Sequence, residues 1–205
     1  MSSVDSTNKS CSSSSNSLWN RIIEWDKKTV LKWNLSLNKS RYVHLIKILS
    51  IIFGPWQIYG IGMVFLIYAL ITDNFYPLGS FYGVITFGLV FFLGLKYSVK
   101  RMRPFVQDKR IKQLDKLTGV KGFPSGHAYY FTMIMIFLWM YSRLPNVFVL
   151  IFVAISVGSS LFRIMLGVHY PTDIIIGHLL APLTILLYFP FIDPYWIGFW
   201  EMVFF

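Results

Sequence analysis

Charge is what this sequence has least of. Only 14% of its 205 residues are Asp, Glu, Lys or Arg, where a soluble globular domain carries about 25%. That shortfall excludes an ordinary cytosolic domain. Acidic residues are the scarcer sign, 9 against 19 Lys and Arg, and they form no dense cluster of the kind that holds Mg²⁺. Cysteine occurs once, at Cys11, which excludes an intrachain disulfide framework and any Cys-based zinc site. Residues 1–17 do not read as a secretory leader. They are Ser-rich with no apolar core behind a basic start, a composition that predicts a disordered tail.

What is present is apolar. Hydrophobic residues make up 55% and aromatics 19%, and mean hydropathy is +0.56. The uncharged runs are long: 48–72, 74–95, 144–162 and 174–192. A spanning helix needs about 20 apolar residues. The sequence therefore predicts an all-α, polytopic membrane bundle of one domain. Its five spans lie near 53–72, 77–97, 125–142, 145–165 and 173–191. Residues 42–53 contain His44 and Lys47 and end at Gly54-Pro55, so they read as a re-entrant or interfacial helix. In segment 18–41, Leu18, Ile22, Trp25, Val30, Trp33 and Leu37 recur at helical spacing among Arg21, Lys27, Lys28 and Lys32. That pattern fits an interfacial helix; a helix packed on the protein's own core is the other reading. The aromatic end, 193–205, is too short to cross again and is expected in the headgroup belt.

Five spans put the chain ends on opposite faces. Eighteen of the 19 Lys and Arg then lie on or near the face of the N-terminus, and only Arg143 lies on the other. Positive loops stay inside, which puts the basic face in the cytoplasm. On this topology the sequons at Asn8, Asn34 and Asn38 stay unmodified. The net charge of +10 also suggests a phosphate-bearing partner. The positive residues flank spans and no nucleic-acid motif accompanies them, which argues against a nucleic-acid partner.

Three segments at this face carry candidate chemistry. In the first, Lys96 and Arg103 are seven apart and share a face if the helix continues, and Pro104 then helps stop it. Two such cations can hold a phosphate. The second is Pro124-Ser125-Gly126-His127, a helix start with Ser125 as N-cap, Gly126 allowing close approach, and free N–H groups that favour an anion. The third runs from Arg163 through His169 to Asp173. Asp173 can accept a hydrogen bond from one ring nitrogen of His169, leaving the other free to attack. Each segment alone has a plain structural reading: a snorkelling cation, a helix start, a capping Asp. Together they supply a nucleophile, an orienting carboxylate, a proton donor and a phosphate cradle at one face.

The pattern Lys-x6-Arg-Pro, Pro-Ser-Gly-His and Arg-x5-His-x3-Asp, in this order, resembles the type 2 phosphatidic acid phosphatase (PAP2) superfamily, over roughly 42–192. The resemblance implies a PAP2/haloperoxidase-like bundle that hydrolyses a membrane lipid phosphate or diphosphate and needs neither metal nor other cofactor. It implies that His169 attacks phosphorus, Asp173 orients it, and His127 protonates the leaving oxygen. Lys96, Arg103, Ser125, Gly126 and Arg163 would bind the phosphate. The family usually has Ser before the Arg of the third block, and this chain has Phe162. A non-catalytic scaffold or lipid-binding protein of this fold is the alternative that Phe162 supports. The run Lys100-Arg101-Met102-Arg103-Pro104 and the aromatic C-terminus look similar to polyisoprenoid (presqualene) diphosphate phosphatases, which implies the endoplasmic reticulum or nuclear envelope. In a prokaryote the inner or plasma membrane is expected.

Overall fold

The computed structural model describes residues 18–54, 56–115, 119–142 and 145–204. The predicted tail 1–17 and Arg143 lie outside them. Among the described residues the chain forms nine helices and no named strand: α1 (Leu18–Asn38), α2 (Val43–Ile52), α3 (Gln57–Thr72), α4 (Tyr76–Ser98), α5 (Pro104–Gln107), α6 (Gly126–Ser142), α7 (Val147–Met165), α8 (Pro171–Phe191) and α9 (Asp193–Phe204). The runs Val43–Thr72, Tyr76–Ser98, Val147–Met165 and Pro171–Phe191 are long and apolar enough to cross a membrane. The protein is an integral membrane protein. The fifth expected span, α6, has 17 residues, about 25 Å at 1.5 Å per residue.

α6 is the central helix, packed against α4, α7 and α8. Its Ala128, Tyr129, Phe131, Met133, Ile134 and Phe137 are all buried. Lipid tails are as apolar as Leu, so close packing of small residues, rather than escape from water, holds such helices together. Gly177 of α8 illustrates this: a Cβ there would lie 2.8 Å from the Ser125 carbonyl and 3.0 Å from the Ala128 Cβ. Deeper in the bundle, Phe65, Phe81 and Phe137 meet pairwise at 5.3–5.4 Å between ring centroids, within the preferred range for aromatic pairs.

Three elements show detail beyond the sequence reading. α1 turns a mixed face to the protein: Asp26, Val30, Asn34 and Leu37 are buried, while Leu18, Trp19 and Trp25 are exposed. It packs on α7 and α8, as the reading of a helix packed on the protein's own core expects. Asn34 donates to the Lys112 and Met165 carbonyls and accepts from the Lys112 N–H, so its amide is engaged in packing and its sequon cannot report topology. The aromatic end forms α9, which folds onto α4 and α8. Trp196 donates to the Gly79 carbonyl at 2.9 Å, and Asp193 accepts from Tyr76 and Ser80 at 2.7 and 2.6 Å. Finally, α4 stops at Ser98 with Val99 extended. Lys96 and Arg103 therefore do not share one helix face; Pro104 starts α5 instead of stopping α4.

Candidate active site

Between α4 and α6, residues 99–115 and 119–125 are held by backbone bonds to each other and to α8. Arg103 N–H donates to Val120 O, Gly122 N–H to Arg101 O, and Ser125 N–H to Asp173 O. The last bond ties the start of α6 to the start of α8. The α7–α8 turn is equally constrained. Gly167 has φ +75°, and a Cβ there would meet Asn34, Ile111 and the Lys112 carbonyl at 2.8 Å; only Gly combines that backbone with that crowding. These constraints place His169 in a buried position.

Arg103 donates from one Nη to the Val168 carbonyl at 2.8 Å and to His169 Nε2 at 3.2 Å. A guanidinium has no acceptor, so Nε2 carries the lone pair and Nδ1 the proton. Nδ1 lies 3.8 Å from Asp173 Oδ2, beyond the reach of a hydrogen bond. The expected His169–Asp173 bond is thus not closed. Asp173 instead accepts the Tyr170 N–H at 2.9 Å and pairs with Arg101 at 2.7 Å. Its place three residues after the N-cap Tyr170 makes the helix start take up this oxygen, so the carboxylate both caps α8 and faces His169.

Burial first, then the Arg103 and Arg163 charges, hold the His169 imidazole well below its ordinary range. Burial, followed by the neighbouring Arg163 charge, lowers Arg103 to about 10, which leaves it charged at neutral pH. The charge of Lys96 also acts on His169, while its ammonium lies over the Phe92 ring at 5.5 Å.

Arg163 is 3% exposed and pairs with Asp115. It also donates to the Ser50 hydroxyl at 3.0 Å. His127 lies within electrostatic reach of Arg163, His169 and Asp115. Ser125 Oγ is buried without a hydrogen-bond partner, as are Arg103 Nε and Arg163 Nε. Ser125 therefore does not cap α6 through its side chain, and Gly126 begins the helix. Unpartnered buried polar atoms call for an explanation, and three around one histidine fit an anion with several acceptor oxygens. Beside them opens a cavity of about 570 Å³, polar at Ser50, Asp115, His127 and Arg163 and apolar along Trp56, Tyr59, Ile85 and Leu89.

All eight sequence-predicted site residues thus gather at one end of the bundle. Four others join them that the sequence reading did not single out for the site: Ser50, Asp115, Arg101 and Asp26. Ser50 puts a hydroxyl beside Arg163 where Phe162 supplies none. Among the described residues no group of three or more His, Cys, Asp and Glu is placed to hold a metal ion.

The family model described as the PAP2 superfamily matches residues 77–196. Two solved structures resemble the whole fold. The PAP2-type phosphatidylglycerolphosphate phosphatase from Bacillus subtilis superposes with a TM-score of 0.67 at 20% identity, over 90% of this chain and 88% of that one. LpxE of Aquifex aeolicus gives 0.61 at 18% identity, over 76% of this chain and 90% of that one. No curated protein matches the sequence.

Proposed function

The chain belongs to the PAP2 superfamily, and from that premise we propose that it is a membrane phosphatase acting on a lipid phosphate or diphosphate through a phosphohistidine. One observation carries the reading. The buried His169, whose Nε2 lone pair accepts from Arg103, lies within electrostatic reach of His127 and Arg163, which line the polar end of an apolar cavity, and three buried polar atoms nearby lack partners. The headgroup phosphate enters that end, and the tail lies along Trp56, Tyr59 and Leu89.

In the first step His169 Nε2 attacks phosphorus as the bond from phosphorus to the lipid oxygen breaks. Arg103 transfers its hydrogen bond from Nε2 to a phosphoryl oxygen. His127, protonated when the phosphate anion is bound beside it, gives that proton to the leaving oxygen. Arg163, Lys96, Ser125 and the N–H groups at the start of α6 stabilise the charge on the equatorial oxygens. Asp173 supports the positive charge that develops on His169. Water then attacks phosphorus, His127 takes its proton, and the N–P bond breaks to release phosphate and restore His169.

The charge asymmetry supports a site on the cytoplasmic face. The test is phosphate release by the purified protein in detergent, with phosphatidate, farnesyl diphosphate, presqualene diphosphate and phosphatidylglycerol phosphate offered in turn. Turnover of at least one is expected, and the ranking names the tail and the phosphate number. Folded protein that turns over none of them overturns the proposal in favour of a non-catalytic lipid-binding role.

A further inference from the structure

We propose that Asp26 and Arg101 are positioning residues for the catalytic centre, so that α1 belongs to the enzyme's working parts as well as to its membrane surface. The inference rests on the phosphatase reading above. α1 lies wholly before residue 77, where the family match begins.

Asp26 is 1% exposed, on a helix whose Trp19 and Trp25 are open. A buried carboxylate without partners costs several kcal/mol, and this one has three. It accepts the Thr172 N–H at 3.1 Å, the Thr172 hydroxyl and one Nη of Arg101. The Thr172 N–H belongs to the first turn of α8, which has no partner within its own helix; Asp26 supplies one from another helix. The other Nη of Arg101 donates to Thr172 Oγ1 at 2.6 Å and Asp173 Oδ1 at 2.7 Å. The guanidinium also lies over the Tyr170 ring at 4.4 Å. Arg101 therefore grips Tyr170, Thr172 and Asp173, the residues that follow His169, and Asp26 grips Arg101.

Two consequences follow for the reaction. The first is geometric. Asp173 Oδ1 is held by Arg101 and Oδ2 by the Tyr170 N–H, which fixes the face that Oδ2 turns toward His169. The second is electrostatic. Arg101 is shared between two carboxylates, so Asp26 offsets its charge and leaves Asp173 negative toward His169. Without Asp26 the whole Arg101 charge bears on Asp173, and support for a positive His169 weakens as the phosphoryl group transfers. Neither Asp26 nor Arg101 lines the cavity that receives the tail. Their effect thus falls on kcat and spares KM.

The test is a double-mutant cycle on the full chain in detergent, with whichever lipid the wild type turns over. The variants are Asp26→Asn, Arg101→Gln and the pair. Misplacing a reacting group by about 1 Å can cost about 100-fold, and each single variant is expected to lose about 10- to 100-fold in kcat. KM should stay within about three-fold, and the double variant should lose no more than the worse single one, the signature of residues that act as a unit. A merely structural role lowers the melting temperature and the folded yield while kcat of the folded fraction holds. That result, multiplying losses, or a loss confined to KM overturns the proposal. If Asp26→Asn does not fold, Arg101→Lys carries the test. It keeps the charge but lacks the fork that spans both carboxylates, and wild-type kcat in it overturns the proposal. An active wild type with unaffected variants defeats this inference alone; a folded, inactive wild type defeats the phosphatase reading and this inference with it.

Discussion

Replacing Asp115 with Asn is expected to tighten the binding of inorganic phosphate and vanadate. Asp115 puts a carboxylate on Arg163 inside the cavity that also holds Ser50 and His127. A substrate phosphate must take over that arginine, so the protein's own anion competes with it. A hydrogen bond to a charged group is worth about 1.5–3 kcal/mol net, or about 10- to 150-fold in affinity. Asp115 keeps 18% exposure while Arg163 keeps 3%, and solvent on one side of the pair puts the expectation at the low end, about ten-fold. The assay is the inhibition constant for phosphate and vanadate, alongside KM for the lipid. Asp108→Asn serves as the control: it lies in the same loop, pairs with Arg110, and alters the net charge equally. Inhibition constants about ten-fold lower for Asp115→Asn and unchanged for Asp108→Asn are expected. Unchanged or weaker inhibition in Asp115→Asn would refute the reasoning and make Asp115 the residue that holds Arg163 in place.

Three further outcomes follow from the same geometry. His169 is held neutral by burial and by Arg103 and Arg163, so the acid limb of kcat/KM should lie below the ordinary imidazole value of about 6.5, and Arg103→Gln, which removes a positive neighbour, should move it upward. The unfolded chain binds a proton on His169 below about pH 6.5 that the folded chain refuses, so this residue makes stability fall as pH drops through that value; a melting temperature that does not fall on acidification contradicts it. Gly177→Val should lower the melting temperature and kcat together, because its side chain meets the Ser125 carbonyl and Ala128 and displaces a cradle residue along with the α6–α8 contact, at a cost of about 1–3 kcal/mol.

The helices were legible in the sequence because uncharged runs of membrane length are bounded by charge, Pro and Gly. The starts of α6 and α8 fell within one or two residues of expectation, since Pro and Ser mark them. The three blocks were legible because their residue types carry chemistry. What remained hidden depends on contacts distant in sequence. Asp26 is one acid on an amphipathic helix, and only the fold of α1 onto α8 gives it Thr172 as a partner. Arg101 reads as one more basic residue in a positive loop until Asp26 and Asp173 appear on either side of it. Ser50 matters because α2 packs on α7 and brings it to Arg163. Lys96 and Arg103 would share a face only on a continuous helix, and α4 ends before the extended Val99.

On the proposed mechanism His169 carries the phosphoryl group without a metal. The most direct measurement is phosphate release from the preferred lipid in excess EDTA, by wild type and by His169→Ala shown to be folded, with the protein quenched in alkali to preserve a phosphohistidine. Full release and a phosphohistidine are expected in the wild type, and neither in the variant. Release by folded His169→Ala at a rate near that of the wild type would contradict that mechanism.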